Sequence, residues 1–123
     1  MACLIVTTGP RKGDFYRLGQ HTNVVGRDEN LPIQIIDKHV SRKHMELRFD
    51  KDHWRYSVLD MDSKHGVLIN ATKIDKETVL NDNDCITIGG TTLLFTLKDF
   101  FDRKSALNHA KKIGQCLRPI ATD

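Results

Sequence analysis

Four short polar stretches lie between apolar segments and hold the side chains that could do chemistry. They are Gly26-Arg27, Ser41-Arg42-Lys43-His44, Ser63-Lys64-His65-Gly66 and Asn70. Arginine presents a planar fork of donors, serine hydroxyls and loop N–H groups donate short hydrogen bonds, and lysine adds positive charge. Binding residues usually lie on loops that a rigid scaffold carries. The set therefore predicts a site that captures an anion, and a phosphate dianion suits it.

A catalytic interpretation of the same residues is weaker. Ser41 and His44 are a nucleophile and a base by type. Three residues apart on one extended loop they are not expected to meet, and no acidic residue follows to orient the histidine. We therefore expect no catalytic residue and no enzyme activity.

The cysteines and histidines do not form a metal-binding pattern. The three cysteines are far apart, with no C-x-x-C pair: Cys3, Cys85 and Cys116. His39 and His44 are five residues apart, which fits no zinc-binding register. We expect three reduced thiols, no metal and no cofactor.

Short β-type runs separated by turn residues fill the chain as far as residue 97. Turn formers such as Gly9-Pro10 and Gly89-Gly90 separate the runs, and no helical periodicity occurs among them. This pattern predicts an antiparallel sandwich or barrel. The predicted strands are 3–8, 14–18, 22–25, 33–36, 45–49, 54–59, 67–69, 73–74, 78–80, 85–88 and 91–97.

Beyond residue 97 the pattern becomes helical. Apolar residues recur at steps of three to six: Phe101, Leu107, Ala110, Ile113 and Leu117. Gly114 and then Pro119 supply stop signals, so we predict a helix over about 100–113. We expect its apolar side to pack on the sandwich, with a partner surface, including self-association of two copies, as the alternative. The predicted domains are a sandwich over 1–98 and a helix and tail over 99–123.

Composition and charge exclude several classes of protein. Hydrophobic residues make up 39% and charged residues 28% of 123 residues, which is typical of one globular domain. Residues 1–97 hold 13 basic and 13 acidic residues, and this balance gives little support for binding nucleic acid. No apolar run approaches the roughly 20 residues that span a bilayer, and no signal peptide is visible. We expect no nucleic-acid partner, no membrane association and a cytoplasmic location.

Trp54 leaves a nucleic-acid alternative open. It lies between His53 and Arg55, and aromatic and cationic residues that alternate can form a platform for single strands. Alternation along a half-buried strand instead places Trp54 and Tyr56 on one face, toward the core. We expect core packing for Trp54.

The order and spacing of the polar stretches resemble the forkhead-associated (FHA) domain, a module that recognises phosphothreonine. The resemblance rests on Gly26-Arg27, Ser41-x-x-His44 and Ser63-x-x-Gly66-Val67-x-x-Asn70, and it covers residues 2–97. The stretch Val58-Leu59-Asp60-Met61 is also similar to the strand pattern of the family. The resemblance implies an all-β fold, a two-sheet antiparallel β-sandwich of about eleven strands (FHA/SMAD-like), here followed by a C-terminal α-helix.

The resemblance also implies residue roles. Arg27 would bind the phosphate, and Ser41 would donate its hydroxyl and backbone N–H to it. Lys64 would add charge attraction, and Arg42 would contact the ligand backbone or a flanking side chain. The remaining matched residues are expected to be structural at the site: Gly26, His44, Gly66 and Asn70.

The sequence departs from the family pattern at His65, where an asparagine usually contacts the ligand main chain. An imidazole supplies one donor or acceptor but not the paired geometry of an amide. His65 therefore predicts a phosphopeptide site with weaker, altered or pH-sensitive binding near neutrality.

Two turns also lack the expected glycine. Ala71 predicts a different hairpin, whereas Asn83 tolerates left-handed backbone.

These features predict a phosphothreonine-peptide-binding module that recruits a phosphorylated partner protein, the product of a Ser/Thr kinase, as a signalling adaptor. The alternative is a phosphate-independent interaction or scaffold domain on the same fold, whose degenerate pocket would make Arg27 dispensable. A third class, binding of single-stranded nucleic acid through Trp54 and the basic tail, predicts a steep dependence on salt.

Overall fold

Eleven strands precede a helix in the computed structural model, which describes residues 2–114. Their bounds are β1 Cys3–Val6, β2 Phe15–Arg17, β3 Asn23–Gly26, β4 Ile33–Gln34, β5 Met45–Asp50, β6 Arg55–Asp60, β7 Val67–Ile69, β8 Thr72–Lys73, β9 Thr78–Val79, β10 Cys85–Ile88, β11 Thr91–Thr96 and α1 Arg103–Ile113. All eleven predicted strands are confirmed, with ends displaced by no more than two residues. The predicted positions Cys116, Leu117 and Pro119 lie outside the described residues.

The strands form two sheets, and the predicted β-sandwich is confirmed. One sheet has the order β2-β1-β11-β10-β7-β8, and the other has the order β4-β3-β5-β6-β9. β4 pairs parallel with β3, whereas the other described strand pairs are antiparallel. The parallel pair departs from the antiparallel arrangement that we expected.

Period-two alternation builds the core between the sheets. In β5, Met45 and Leu47 are buried while Glu46 and Arg48 remain partly exposed. Side chains from both sheets meet in this way: Leu4, Val6, Val25, Leu47, Val58, Leu93 and Phe95. The apolar contact between the sheets gives the connecting loops a fixed base.

The helix covers the outer face of the six-stranded sheet. There Cys3, Ile5 and Leu94 pack with Ala106 and Ala110 of α1. β1 is therefore buried along its whole length, because one side faces the core and the other faces α1. The two alanines let the helix lie close to the sheet. The predicted packing of the helix on its own sandwich is confirmed.

The ends of α1 follow local capping chemistry. The helix begins at Arg103 and not at the predicted residue 100, because the Asp102 side chain caps it. The Asp102 carboxylate accepts a hydrogen bond from Ser105 N–H at 2.8 Å. Gly114, with φ +76°, follows the last helical residue, as predicted. The predicted apolar stripe is wrong at its first member, because Phe100 is buried and Phe101 is 97% exposed.

The expected core position of Trp54 is also wrong. Trp54 lies in the turn before β6, with φ +52°, and its side chain is 66% exposed. Tyr56 is buried, and its ring packs against Phe49 and Phe95. The period-two pattern therefore begins one residue later than we predicted.

The turn between β7 and β8 keeps the usual hairpin form despite Ala71. Asn70 and Ala71 have φ values of +49° and +71°, and a type I′ turn needs positive φ at both central residues. Left-handed backbone costs an alanine about 1 kcal/mol or more. The prediction of a different hairpin is wrong, and Asn83, with φ +70°, adopts the left-handed backbone as expected.

Two further sequence predictions concern the thiols and the membrane. Cys85 is disulfide-bonded, so the expectation of three reduced thiols is wrong. In the part of the chain that the structure describes, no helix is long and apolar enough to cross a membrane.

Candidate phosphate-binding site

Three loops meet at one end of the sandwich: residues 27–32 after β3, 35–44 after β4 and 61–66 after β6. We call them the site loops. Arg27 N–H donates a hydrogen bond to the Ser41 carbonyl at 3.0 Å, which joins the first site loop to the second. Polar stretches that are separate in the sequence are therefore adjacent in space.

Gly26, the last residue of β3, permits this close approach. A Cβ at this position would lie 2.2 Å from the carbonyl oxygen of Arg42, so a larger residue would force the two loops apart. The same Arg42 carbonyl accepts a hydrogen bond from Asp28 N–H at 3.2 Å. Gly26 is therefore required by a close contact between two backbones.

His44 joins the second site loop to the third. Its side chain is fully buried. Ser41 N–H donates to its Nδ1 at 3.0 Å, and its Nε2 lies 2.7 Å from the Gly66 carbonyl oxygen. A backbone N–H can only donate and a carbonyl can only accept, so these partners assign the neutral tautomer with its proton on Nε2. Both ring nitrogens are used, which fits a structural role.

Ser41 offers its hydroxyl proton to the surface. The hydroxyl oxygen accepts a hydrogen bond from Lys64 N–H at 3.1 Å, and within residues 2–114 the hydroxyl donates none. The accepted bond orients the oxygen and leaves its proton for a ligand. Ser41 N–H, which the resemblance also assigns to phosphate, is already donated to His44.

Arg27 and Arg42 have no carboxylate partner within the described residues. Five other arginines there have a nitrogen 2.6–3.8 Å from an Asp or Glu oxygen: Arg11, Arg17, Arg48, Arg55 and Arg103. Arg27 Nε donates to the Val40 carbonyl at 3.0 Å, which fixes the guanidinium while both Nη groups stay unbonded to residues 2–114. Arg42 is exposed, and no hydrogen bond from its side chain occurs in that range.

One open cavity of about 300 Å³ brings the two arginines together. Asp28, Glu29 and Gln34 also line it. Two acidic residues balance the two arginines, so the cavity has almost no net charge. What the site offers an anion is therefore a set of directed donors, to which the exposed Lys64 ammonium adds charge from the third site loop.

His65 meets a second histidine across the loops. Its ring packs edge to face on His39, with centroids 5.4 Å apart and an interplanar angle of 83°. Both residues are exposed, His65 on the third site loop and His39 on the second. The sequence analysis did not identify His39, because its contact with His65 joins two different loops and no regular spacing in the sequence indicates such a contact.

The family model for the FHA domain matches residues 23–89. This chain belongs to the FHA domain family. The match covers more than half of the sequence and includes every residue of the site loops.

Two relatives extend the family match beyond residues 23–89. An FHA domain-containing protein of Arabidopsis thaliana is 31% identical over 116 residues, which cover 89% of this chain and 30% of that protein. The oxoglutarate dehydrogenase inhibitor of Corynebacterium jeikeium is 36% identical over 94 residues, covering 76% of this chain and 63% of the inhibitor. The chain thus spans less than two-thirds of the length of these relatives.

A solved structure shares the fold. It comes from a structural and functional study of phosphothreonine-dependent FHA domain interactions. The TM-score is 0.70 and the identity is 25%, over 80% of this chain and 98% of the other.

Asp37 is a second residue of this FHA domain that the sequence analysis missed. Its carboxylate accepts hydrogen bonds from His39 N–H at 2.8 Å, Gly90 N–H at 2.9 Å and the Thr91 hydroxyl at 2.8 Å. Burial raises the pKa of the Asp37 carboxyl, but these hydrogen bonds outweigh burial and hold the pKa below its usual range. Asp37 thus ties the second site loop to the turn between β10 and β11, over 50 residues away in sequence.

Asn70 is structural, but it does not lie at the site. Gly66, with φ +80°, precedes β7 at the site loops, whereas Asn70 follows β7 at its other end, about 13 Å away at strand spacing. The Asn70 side chain donates to Asp84 Oδ1 at 2.9 Å and accepts from Cys85 N–H at 2.9 Å. The structure brings the other predicted site residues of the FHA domain together and leaves Asn70 apart.

Proposed function

We propose that this chain is a phosphothreonine-peptide-binding module that recruits a phosphorylated partner protein. The supporting observation is that Arg27 and Arg42, the described arginines without a carboxylate partner, line one cavity, and that the hydroxyl of the adjacent Ser41 donates no hydrogen bond within residues 2–114. A phosphate adds a charge near −2 and three strong acceptor oxygens. Unpaired guanidinium groups and an available hydroxyl proton match those acceptors.

Each exposed group has a role in this proposal. The free Nη groups of Arg27 and the Ser41 hydroxyl bind the phosphate oxygens, and Lys64 adds charge attraction. Arg42 contacts the ligand backbone or a neighbouring side chain. His65 takes the place of the amide that usually binds the ligand main chain. The threonine methyl group favours phosphothreonine over phosphoserine through contact with a loop wall.

The proposed activity is binding without catalysis. His44 uses both ring nitrogens in structural hydrogen bonds, so it is not available as a base for the Ser41 hydroxyl. One of the two relatives is named as an inhibitor. We propose an adaptor in the cytoplasm, where a Ser/Thr kinase has its ATP, with no nucleic acid and no membrane as partner.

Fluorescence anisotropy with a degenerate phosphothreonine peptide pool tests the proposal. The wild-type chain should bind the phosphorylated pool and not the unphosphorylated pool. Arg27→Ala should weaken this binding more than tenfold, because a charge-assisted contact to phosphate is lost. Arg55→Ala is the matched control, since Arg55 begins β6 at the end away from the site loops. Equal binding of both pools, or full binding by Arg27→Ala, would contradict the proposal.

His65 favours the second candidate, a phosphate-independent interaction domain with a degenerate pocket. In that case both pools bind alike or not at all, and Arg27→Ala has no effect on partner binding. His65→Asn separates the candidates further, because restoring the amide should tighten phosphate-dependent binding only in a working phosphopeptide site. Self-association through the C-terminal helix stays a prediction, and Phe101, which lies just before the helix, is 97% exposed.

A further inference from the structure

His39 and His65 form an aromatic pair that joins the second site loop to the third at the surface. The ring centroids are 5.4 Å apart and the ring planes cross at 83°, so the edge of one ring faces the plane of the other. Both residues are exposed. Within residues 2–114, no ring nitrogen of the pair forms a hydrogen bond or an ion pair. The ring nitrogens are therefore available to a ligand.

The backbone of His39 is held firmly on the sandwich. Its N–H donates to the Asp37 carboxylate at 2.8 Å, and the same carboxylate binds Gly90 N–H and the Thr91 hydroxyl. His39 also lies so close to Gly89 that a Cβ on Gly89 would be 2.8 Å from the His39 carbonyl carbon. His39 is therefore fixed before any ligand binds.

His65 depends on His39 for its orientation. Lys64 N–H donates to the Ser41 hydroxyl oxygen at 3.1 Å, which places the next residue, His65, close to the hydroxyl that binds phosphate in the proposed function. In the described part of the chain, neither the N–H nor the ring of His65 has a hydrogen-bond partner. The contact with the His39 ring is therefore the interaction that orients the His65 ring.

The charged groups around the pair come from three elements. They are Asp37 and Lys38 of the second site loop, Asp62 and Lys64 of the third, and Lys73 of β8. The Lys73 side chain lies over Gly66, and its Nζ is 3.4 Å from the position of a Cβ there. The turn between β10 and β11, which packs on His39, contributes two glycines and no charge. Among the described residues, no carboxylate pairs with either imidazole.

This arrangement couples a proton to the ligand. Imidazole is the side chain that ordinarily changes charge between about pH 5 and pH 8. A bound phosphate brings a charge near −2, and a negative charge nearby favours the protonated imidazole. Because no described carboxylate pairs with His65, the phosphate is the counter-charge for a proton there. A site that takes up a proton on binding gains affinity as the pH falls.

We propose that His39 positions the His65 ring against the bound phosphopeptide, and that His65 takes up a proton from solvent as the ligand binds. The affinity of the site then increases as the pH falls through neutrality. This inference rests on the proposed function, because the phosphate of the ligand supplies the counter-charge. His39 acts through His65 and is a positioning residue.

The pH dependence of the Kd tests the inference. Fluorescence anisotropy with the full chain and the degenerate phosphothreonine peptide pool covers about pH 6.5 to 8.5, where most of the phosphate is a dianion. The wild-type affinity should rise about threefold to tenfold toward the lower pH, since an imidazole that binds its proton tenfold more tightly in the complex gives at most that change. The phosphate titrates alike with every variant, so differences between variants belong to the protein.

Two positions are varied. His65→Asn should show no such rise, because an amide does not titrate. His39→Ala should weaken binding at the lower pH and remove about half or more of the pH dependence. His39→Phe should restore both, since it keeps an aromatic ring against His65.

His53→Ala is the matched control. His53 is an exposed histidine in the turn between β5 and β6, at the opposite end of these strands from the site loops, and its replacement should leave the pH profile unchanged. Thermal unfolding of the His39 and His65 variants should match the wild-type chain, since both side chains are exposed.

Each failure has its own signature. Phosphate-dependent binding with the same pH profile in the wild-type chain and His65→Asn overturns the proton uptake and leaves the proposed function standing. A wild-type profile for His39→Ala, or a His39→Phe variant that behaves like His39→Ala, overturns the positioning role of the His39 ring. Equal binding of the phosphorylated and unphosphorylated pools at every pH contradicts the proposed function, and the inference falls with it.

Discussion

The site loops and the helix-covered face of the six-stranded sheet are ordered by different forces. Under α1, Cys3, Ile5 and Leu94 are completely buried and packed against small helix residues. In the site loops, hydrogen bonds do the positioning, and the buried polar side chain of His44 accepts one of them and donates another. Burial stabilises the first region, and directed polar contacts determine the geometry of the second.

This difference separates stability from recognition. Apolar packing depends on area and tolerates small shifts, whereas a hydrogen bond fixes distance and direction. A phosphate needs donors at set positions, and these donors must stay exposed to reach it. The helix-covered face can therefore change with little effect on the affinity of a folded molecule, but the site loops cannot.

The largest expected effect is that of Leu94→Ala on stability. Leu94 is completely buried between the sheet and α1, so its truncation should lower the free energy of unfolding by about 2–5 kcal/mol. Urea denaturation measures this change. At low temperature the folded variant should bind phosphopeptide with the wild-type Kd. Leu97→Ala, at a 56% exposed leucine, is the control and should change stability by less than about 0.5 kcal/mol. A clear change in Kd for Leu94→Ala would link the two regions.

His44→Ala should affect both quantities, because His44 is buried and also positions two site loops. It leaves the Ser41 N–H and the Gly66 carbonyl without partners, which should cost about 1–3 kcal/mol of unfolding free energy. Phosphopeptide binding should weaken about tenfold as the loops lose their register. Urea denaturation and anisotropy measure the two effects. His53→Ala, at an exposed histidine, is the control. Wild-type affinity in folded His44→Ala would mean that the loops do not need this brace.

The smallest expected effect is the acid dependence that Asp37 contributes. Hydrogen bonds hold the pKa of Asp37 lower in the folded state than in the unfolded state. The ionised carboxylate therefore stabilises the fold fully above its unfolded pKa of about 3.9, and this contribution is lost as the pH falls through the pKa of the folded state. Between pH 5 and pH 3, Asp37→Asn should therefore lose less unfolding free energy than the wild-type chain. The difference should be no more than about 1 kcal/mol, because the group is partly exposed. Thermal unfolding across that range measures the change.

The control for the acid experiment is Asp75→Asn. Asp75 is exposed and forms no hydrogen bond within the described residues. Identical acid profiles for Asp37→Asn and the wild-type chain would show that the Asp37 contacts do not contribute to stability.

Local patterns predicted the strands because each β-run alternates and ends at turn formers. The local pattern was misleading at Trp54, where a turn replaced the first strand residue, and at Phe101, where the Asp102 cap displaced the helix start. Both errors lie at element ends, where capping and turn geometry override periodicity. The site motif was predictable because Arg27, Ser41 and His44 have the order and spacing of a known family.

By itself, the sequence determined the eleven strands, the final helix and the residue types that can bind phosphate. These depend on contacts between neighbours along the chain. The tertiary structure decided that Arg27 and Arg42 have no carboxylate partner within residues 2–114, that His39 meets His65, that Asp37 braces the second site loop and that Asn70 lies apart. These features join residues on different loops, and such contacts depend on how the two sheets stack, which no local pattern encodes.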